Sequence, residues 1–212
     1  MKNRFNGFFI LLIFAFPVIA PVGFSAPCLA AENGRPLYFS IIPKKNVDQQ
    51  IRELDPLLRL LEKKLGRPIE VTRPHSYRAV IEGILSRTID FAILGPASYA
   101  KARARDARVD AFASFARKKG YTNPEGSFYN SVLFTHKAQG RTSIKDLKGK
   151  KIALTDPEST SGSVIPSMKF SGYVGSPIRD FFGSLVYTGS HDRSINAVLR
   201  GFVDAAFVST AR

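Results

Sequence analysis

The segment Asp156-Pro-Glu-Ser-Thr-Ser-Gly162 follows an apolar run, Lys151-Ile-Ala-Leu-Thr155, and precedes a helical pattern. Ser159, Thr160 and Ser161 present three hydroxyls. A helix opening there leaves its first backbone N–H groups without intrahelical acceptors, at the positive end of its dipole. Hydroxyls and amides together make a cradle for an anion that needs no charged side chain. A hydroxyl both donates and accepts, so the cradle suits an oxyanion that is partly protonated. The competing reading is a plain helix cap, the commonest use of Ser and Thr at such a place.

Three further residues could serve the same anion. His191, in Gly189-Ser-His-Asp192, follows another strand of the same half and could donate from its imidazole; otherwise it is a histidine in a surface turn. Tyr77 and Tyr129 each sit near a strand–helix junction, where a phenol can donate to an oxygen while its ring excludes water. Otherwise they are ordinary core or rim aromatics.

Catalytic patterns are weak. Ser159 or Ser161 with His191 and Asp192 would make a poor hydrolase triad, because the acid must orient the imidazole from its far nitrogen. No Gly-x-Ser-x-Gly elbow occurs. His75, His136 and His191 show no ligand spacing for a metal. Neither glycine-rich nucleotide motif is present, so no cofactor is expected.

The elements that must hold these residues alternate. Leu37-Tyr-Phe-Ser-Ile-Ile42 reads as a buried strand. Asp48 can cap a helix whose Ile51, Leu54, Leu58, Leu61 and Leu65 share one face, ended by Gly66 and Pro68. Strands are expected at 69–72 and 90–94, with helices at 77–86 and 97–107. After a loop at 118–127, strands are expected at 130–135, 151–155, 185–188 and 203–208, with a helical turn at 144–147 and a helix at 194–200. Strands alternating with helices predict an α/β fold with largely parallel sheets, divided into two lobes near the loop.

The order of these segments resembles the phosphonate/phosphite/phosphate-binding family of periplasmic solute-binding proteins that serve ABC importers. The resemblance rests on Ser76-Tyr77 before Val80-Ile-Glu-Gly83, on Ile89-Asp-Phe-Ala92 leading to Gly95-Pro-Ala-Ser-Tyr99, and on Tyr129-Asn-Ser131. It continues through Asp146-Leu-Lys-Gly-Lys150, Asp156-Pro-x-Ser-Thr-Ser-Gly162, Gly189-Ser-His-Asp192 and Gly201-x-Val-Asp204-Ala-Ala. It covers about 38–210, and its most specific part is the Ser-Thr-Ser segment with a following Ser-His-Asp. The resemblance implies a two-lobed periplasmic-binding-protein fold, joined by two crossing strands, with ligand in the cleft. It implies that Ser159, Thr160 and Ser161 hold phosphoryl oxygens, that His191 adds a bond, and that Tyr77 and Tyr129 reach the anion from near the cleft and hinge. It further implies binding without catalysis, a membrane permease as partner and a monomeric protein. Family members continue after the strand at 203–208 with further structure on the first lobe, so a shortened chain is expected here. Acidic residues that hold an amine in some relatives would fall at or beyond position 212.

Bulk properties agree. With 44% hydrophobic and 23% charged residues, the chain has globular composition, which excludes a disordered or disulfide-rich class. Lys2 and Arg4, the apolar stretch from Phe8 to Phe24 and the small residues to Ala31 read as a secretory signal peptide over 1–31. The expected division is then a first lobe over 32–125 and a second over 126–212. Cys28, the only cysteine, would leave with the leader. If the leader stays, the alternative is a ligand-binding sensor tethered to the membrane. The net charge of +14 fits an anionic partner. Export argues against a nucleic acid, and the Lys101–Arg108 cluster reads as a solvated helix face.

Overall fold

Apolar runs become strands and amphipathic stretches become helices in the order the sequence requires. The computed structural model describes residues 34–123 and 125–211; the leader and Cys28 lie outside them. In the first lobe, β1 (Leu37–Ile41) lies between β2 (Ile69–Val71) and β3 (Phe91–Ile93), all parallel. Parallel neighbours need crossovers, and α1 (Val47–Leu65) and α2 (Tyr77–Leu85) supply them. Strand β3 leads through Gly95 into α3 (Pro96–Arg105). Successive strand residues face opposite sides. Phe39 and Ile41 therefore pack with Leu58 of α1, while Ile42 packs with Tyr77, Val80 and Ile89 on the other side.

The second lobe is a four-stranded sheet of β4 (Ser131–Thr135), β5 (Lys151–Leu154), β6 (Ser184–Tyr187) and β7 (Ala205–Ser209), in the order β4-β7-β5-β6. Strands β5, β6 and β7 are parallel; β4 runs antiparallel to β7, with Ser131 opposite Ser209. The chain thus enters and leaves this lobe side by side, and the Thr210 amide donates to the Asn130 carbonyl at 3.0 Å. Ile152, Leu154, Ala205 and Phe207 face a core completed by Phe170, Phe181 and Phe182 from the short helices α4 (Ile165–Lys169), α5 (Ser171–Val174) and α6 (Ile178–Phe181) and their junctions. Ala153 and Ala206, on the opposite face, meet Val198 of α7 (His191–Leu199). Among the described residues no helix is long and apolar enough to cross a membrane.

Several boundaries differ from expectation. Asn46, not Asp48, caps α1, its side chain accepting from the Gln49 amide at 3.0 Å. Asp48 sits in the first turn and pairs with Arg73. Gly66 ends α1 in the left-handed conformation as expected, but Leu65 stays exposed because the helix outruns the sheet beneath it. Helix α3 stops at Arg105, two residues early, because the Asp106 carboxylate turns to hold the Arg108 amide and guanidinium. Helix α7 starts at His191 rather than Ser194, because Ser190 caps it by accepting from the Arg193 amide. The basic cluster is the solvated face expected, and its charges are paired: Lys101, Arg103, Arg105 and Arg108 are exposed and each meet a carboxylate, respectively Glu158, Asp110, Glu82 and Asp106.

Candidate functional site

The carboxyl ends of parallel strands in both lobes open onto one cleft of about 1040 Å³. Ser159, Thr160, Ser161, His191, Tyr77 and Tyr129 all line it.

Beyond β5 the chain turns tightly. The Thr155 amide donates to the Gly162 carbonyl at 3.0 Å, and the Ser159 hydroxyl accepts from the Gly162 amide at 3.1 Å. A side chain at 162 would place its Cβ 2.1 Å from the Thr155 hydroxyl, so only glycine fits this approach. The expected helix opens as a single π turn, Thr160–Val164, before α4 continues it. Such turns widen the first coil and occur often at functional sites. The Thr160 and Ser161 amides, in its first turn, have no acceptor among the described residues.

Contacts from the first lobe converge on this turn. The Thr160 hydroxyl accepts from the Ala97 amide at 2.8 Å, at the start of α3. The Ser98 hydroxyl donates to the Glu158 carbonyl at 2.9 Å. Asp156 accepts from the Glu158 amide at 2.8 Å and more weakly from the Tyr77 amide at 3.4 Å. Burial pushes the Asp156 carboxyl above the usual carboxylate range, since no guanidinium or ammonium pairs with it directly among the described residues.

Tyr77 is 1% exposed, and its hydroxyl has no partner in hydrogen-bonding geometry among the described residues, although the Ser159 hydroxyl lies close by. Burial raises this phenol well above the ordinary tyrosine range, so it remains a donor at neutral pH. A buried, unmatched donor facing a cleft costs free energy that a ligand oxygen would recover. Burial likewise raises Tyr129, with the Thr160 hydroxyl and the positive Arg117 partly offsetting it.

His191 is not in a surface turn; it is 3% exposed at the first position of α7, and its amide donates to the Lys44 carbonyl at 3.0 Å. Its Nδ1 lies 3.3 Å from the Ser209 amide and 3.0 Å from the Thr155 hydroxyl. An amide can only donate, so Nδ1 accepts and the neutral ring carries its proton on Nε2. The Nδ1 position where a triad would require a carboxylate is held by a backbone amide and a hydroxyl. Among the described residues no cluster of His, Cys, Asp and Glu could hold a metal ion.

Sequence reasoning gave no site role to Thr155, Asp156, Ser98, Lys44, Arg117 or Ser209, although Asp156 and Ser98 lie in motifs it named. Lys44 had a usable signal, because it follows β1 at the carboxyl edge where ligands of parallel sheets bind. Thr155 immediately precedes the Asp156–Gly162 motif. Ser209 and Arg117 had none, because they reach the cleft through tertiary placement alone.

Two α/β lobes with a donor-lined cleft between them form a two-lobed periplasmic-binding-protein fold. A family model described as the periplasmic substrate-binding protein of phosphonate ABC transporters matches residues 39–212. The chain belongs to that family. It is 28% identical over 192 residues to the phosphate-import protein PhnD of Mycolicibacterium smegmatis, covering 87% of this chain and 59% of the relative. It is 28% identical to the phosphonates-binding periplasmic protein of Escherichia coli, covering 87% and 54% respectively. The crystal structure of PhnD1 from Prochlorococcus marinus in complex with methylphosphonate superposes with a TM-score of 0.69 at 24% identity, covering 82% of this chain and 63% of that one. This last likeness establishes the fold. The chain spans somewhat more than half the length of the curated relatives it matches.

Proposed function

We propose that this chain is the exported solute-binding component of an ABC importer and captures a phosphonate, phosphite or phosphate between its lobes without catalysis. The observation that carries this reading is the convergence on one cleft of the Ser159–Ser161 turn, the unmatched Tyr77 hydroxyl and the Nε2 proton of His191. All are neutral donors, and a tetrahedral oxyanion offers several acceptors. The names of the relatives support the ligand class: phosphate import, phosphonate binding and, for a Prochlorococcus marinus protein 26% identical to this chain, probable phosphite binding.

In this reading residues 1–31 direct export to the periplasm, residues 32–125 belong to the first lobe and 126–212 to the second. The protein works as a monomer that hands its ligand to a membrane permease and needs no cofactor. Ser159, Thr160 and Ser161 hold phosphoryl oxygens through hydroxyls and amides, and His191, Tyr77 and Tyr129 complete the shell. The bonds from Ala97 to Thr160 and from Ser98 to Glu158 join the lobes around the same turn, so ligand capture and hinge closure share one structural element.

Isothermal titration of the purified protein with phosphite, methylphosphonate, aminoethylphosphonate and phosphate tests this. Selective binding of one of them is expected. A donor to a bound anion contributes about 1.5–3 kcal/mol, so Thr160→Ala and His191→Ala should each weaken binding about ten- to a hundredfold. Unchanged affinity in both variants would remove the site assignment. Release of inorganic phosphate from a bound phosphonate would overturn the non-catalytic reading.

A further inference from the structure

Five Lys and Arg side chains line the cleft among the described residues; two of them are neutralised by the chain itself and a third, Arg87, is exposed. Arg35 is paired with Asp90, and Arg108 with Asp106. Lys44 and Arg117 are different. Both line the cleft and both are half-buried, yet neither side chain makes a hydrogen bond or ion pair with any described residue. They line the same cleft as the hydroxyl turn. Lys44 adjoins His191, whose amide its carbonyl accepts, and Arg117 acts electrostatically on Tyr129, whose ring reaches Thr160.

The two cations also feel each other. Burial, then the charge of Arg117, then that of Lys45 hold the Lys44 ammonium below the usual lysine range. The one carboxylate acting in the opposite sense on Lys44 is Glu53, and Glu53 is engaged by Lys45 at 2.6 Å. Asp110, another carboxylate on the cleft wall, is engaged by Arg103. Two neighbouring half-buried cations without a counter-charge leave a local excess of positive potential on the cleft wall.

We propose that Lys44 and Arg117 form a second anion subsite beside the neutral cradle, which takes a carboxylate carried on the substituent of a phosphonate and disfavours an ammonium in that place. This rests on the cleft being the oxyanion site proposed above. The cradle fixes the phosphoryl group and is indifferent to the substituent's charge. The cation pair supplies discrimination by attraction to one class and repulsion of the other.

The test is calorimetric titration of the purified protein with phosphonoacetate, methylphosphonate and aminoethylphosphonate. Phosphonoacetate is expected to bind at least about tenfold more tightly than methylphosphonate, and aminoethylphosphonate more weakly than either. Lys44→Gln and Arg117→Gln should each narrow the phosphonoacetate-to-methylphosphonate ratio, with thermal unfolding recorded to show that both variants fold. Should either fail to fold, the unaltered protein still decides the matter. Raising the salt from about 0.05 M to about 0.5 M should shrink the preference, because screening acts on the cation pair more than on neutral donors. Methylphosphonate binding with no preference for phosphonoacetate, or a preference that survives both substitutions, overturns the subsite alone. Absence of heat with all three ligands overturns the oxyanion reading and the subsite together.

Discussion

The two lobes obey the same α/β rules but bury their residues to different extents. In the second lobe Phe170 sits against Phe181, Phe182 and Phe207 with ring centroids 5.0–6.0 Å apart, and every residue of β7 is buried. In the first lobe the buried apolar residues form smaller clusters, Ile42, Tyr77, Val80 and Ile89 on one face of the sheet and Phe39, Ile41 and Leu58 on the other. The turn at 156–162, where the proposed site lies, grows out of the tightly packed lobe. A site held on rigid, well-packed elements keeps its donors in place before ligand arrives. The first lobe contributes Tyr77 and the start of α3, which act by meeting that turn.

The strongest way to break this contrast is to open the second core. Phe170→Ala should destabilise the protein by about 3–5 kcal/mol, read from the urea midpoint, because three aromatic neighbours cannot collapse onto the lost ring. A loss below about 1 kcal/mol would show that the second lobe is not the better-packed one.

A finer test uses two carboxylates with opposite environments. Asp90, in the first lobe, receives the Arg35 guanidinium and the Tyr38 amide, and these hold its carboxyl below the usual range. Its contribution to stability is present above the unfolded-state value of about 3.9 and is lost as pH falls through the depressed folded value. Asp156 is raised by burial, so its contribution is present below about 3.9 and is lost as pH rises through the elevated folded value. Urea unfolding across this acid range should therefore show the difference between wild type and Asp90→Asn growing with pH. For Asp156→Asn the difference should shift in the opposite direction. Parallel trends would refute the assignment of the two environments. The smallest expected effect is that of Leu60→Ala, within about 0.5 kcal/mol, since the residue is already about half exposed. A larger loss would mean that this face of α1 is covered in solution.

Much of this was legible beforehand. The strand–helix order, Gly66 as a helix stop and the Ser159–Ser161 cluster follow from local pattern, because periodicity and turn chemistry are properties of consecutive residues. The errors were also local in origin. Asn46 and Asp48 are both acceptable caps, and only the docking of α1 on the sheet selects between them. The helix after β5 reads as regular, but the approach of Gly162 to Thr155 goes with a π turn there.

By itself the sequence determined that Ser159, Thr160, Ser161 and His191 follow strand ends. It also determined the α/β alternation that carries those donors to one edge. The tertiary structure alone decided which nitrogen of His191 carries the proton, because Ser209 and Thr155 reach it from 18 and 36 residues away. It alone left the Tyr77 hydroxyl unmatched and separated Lys44 and Arg117 from the paired cations. Hydrogen bonding and charge neutralisation depend on distances across the fold, and no spacing along the chain encodes them.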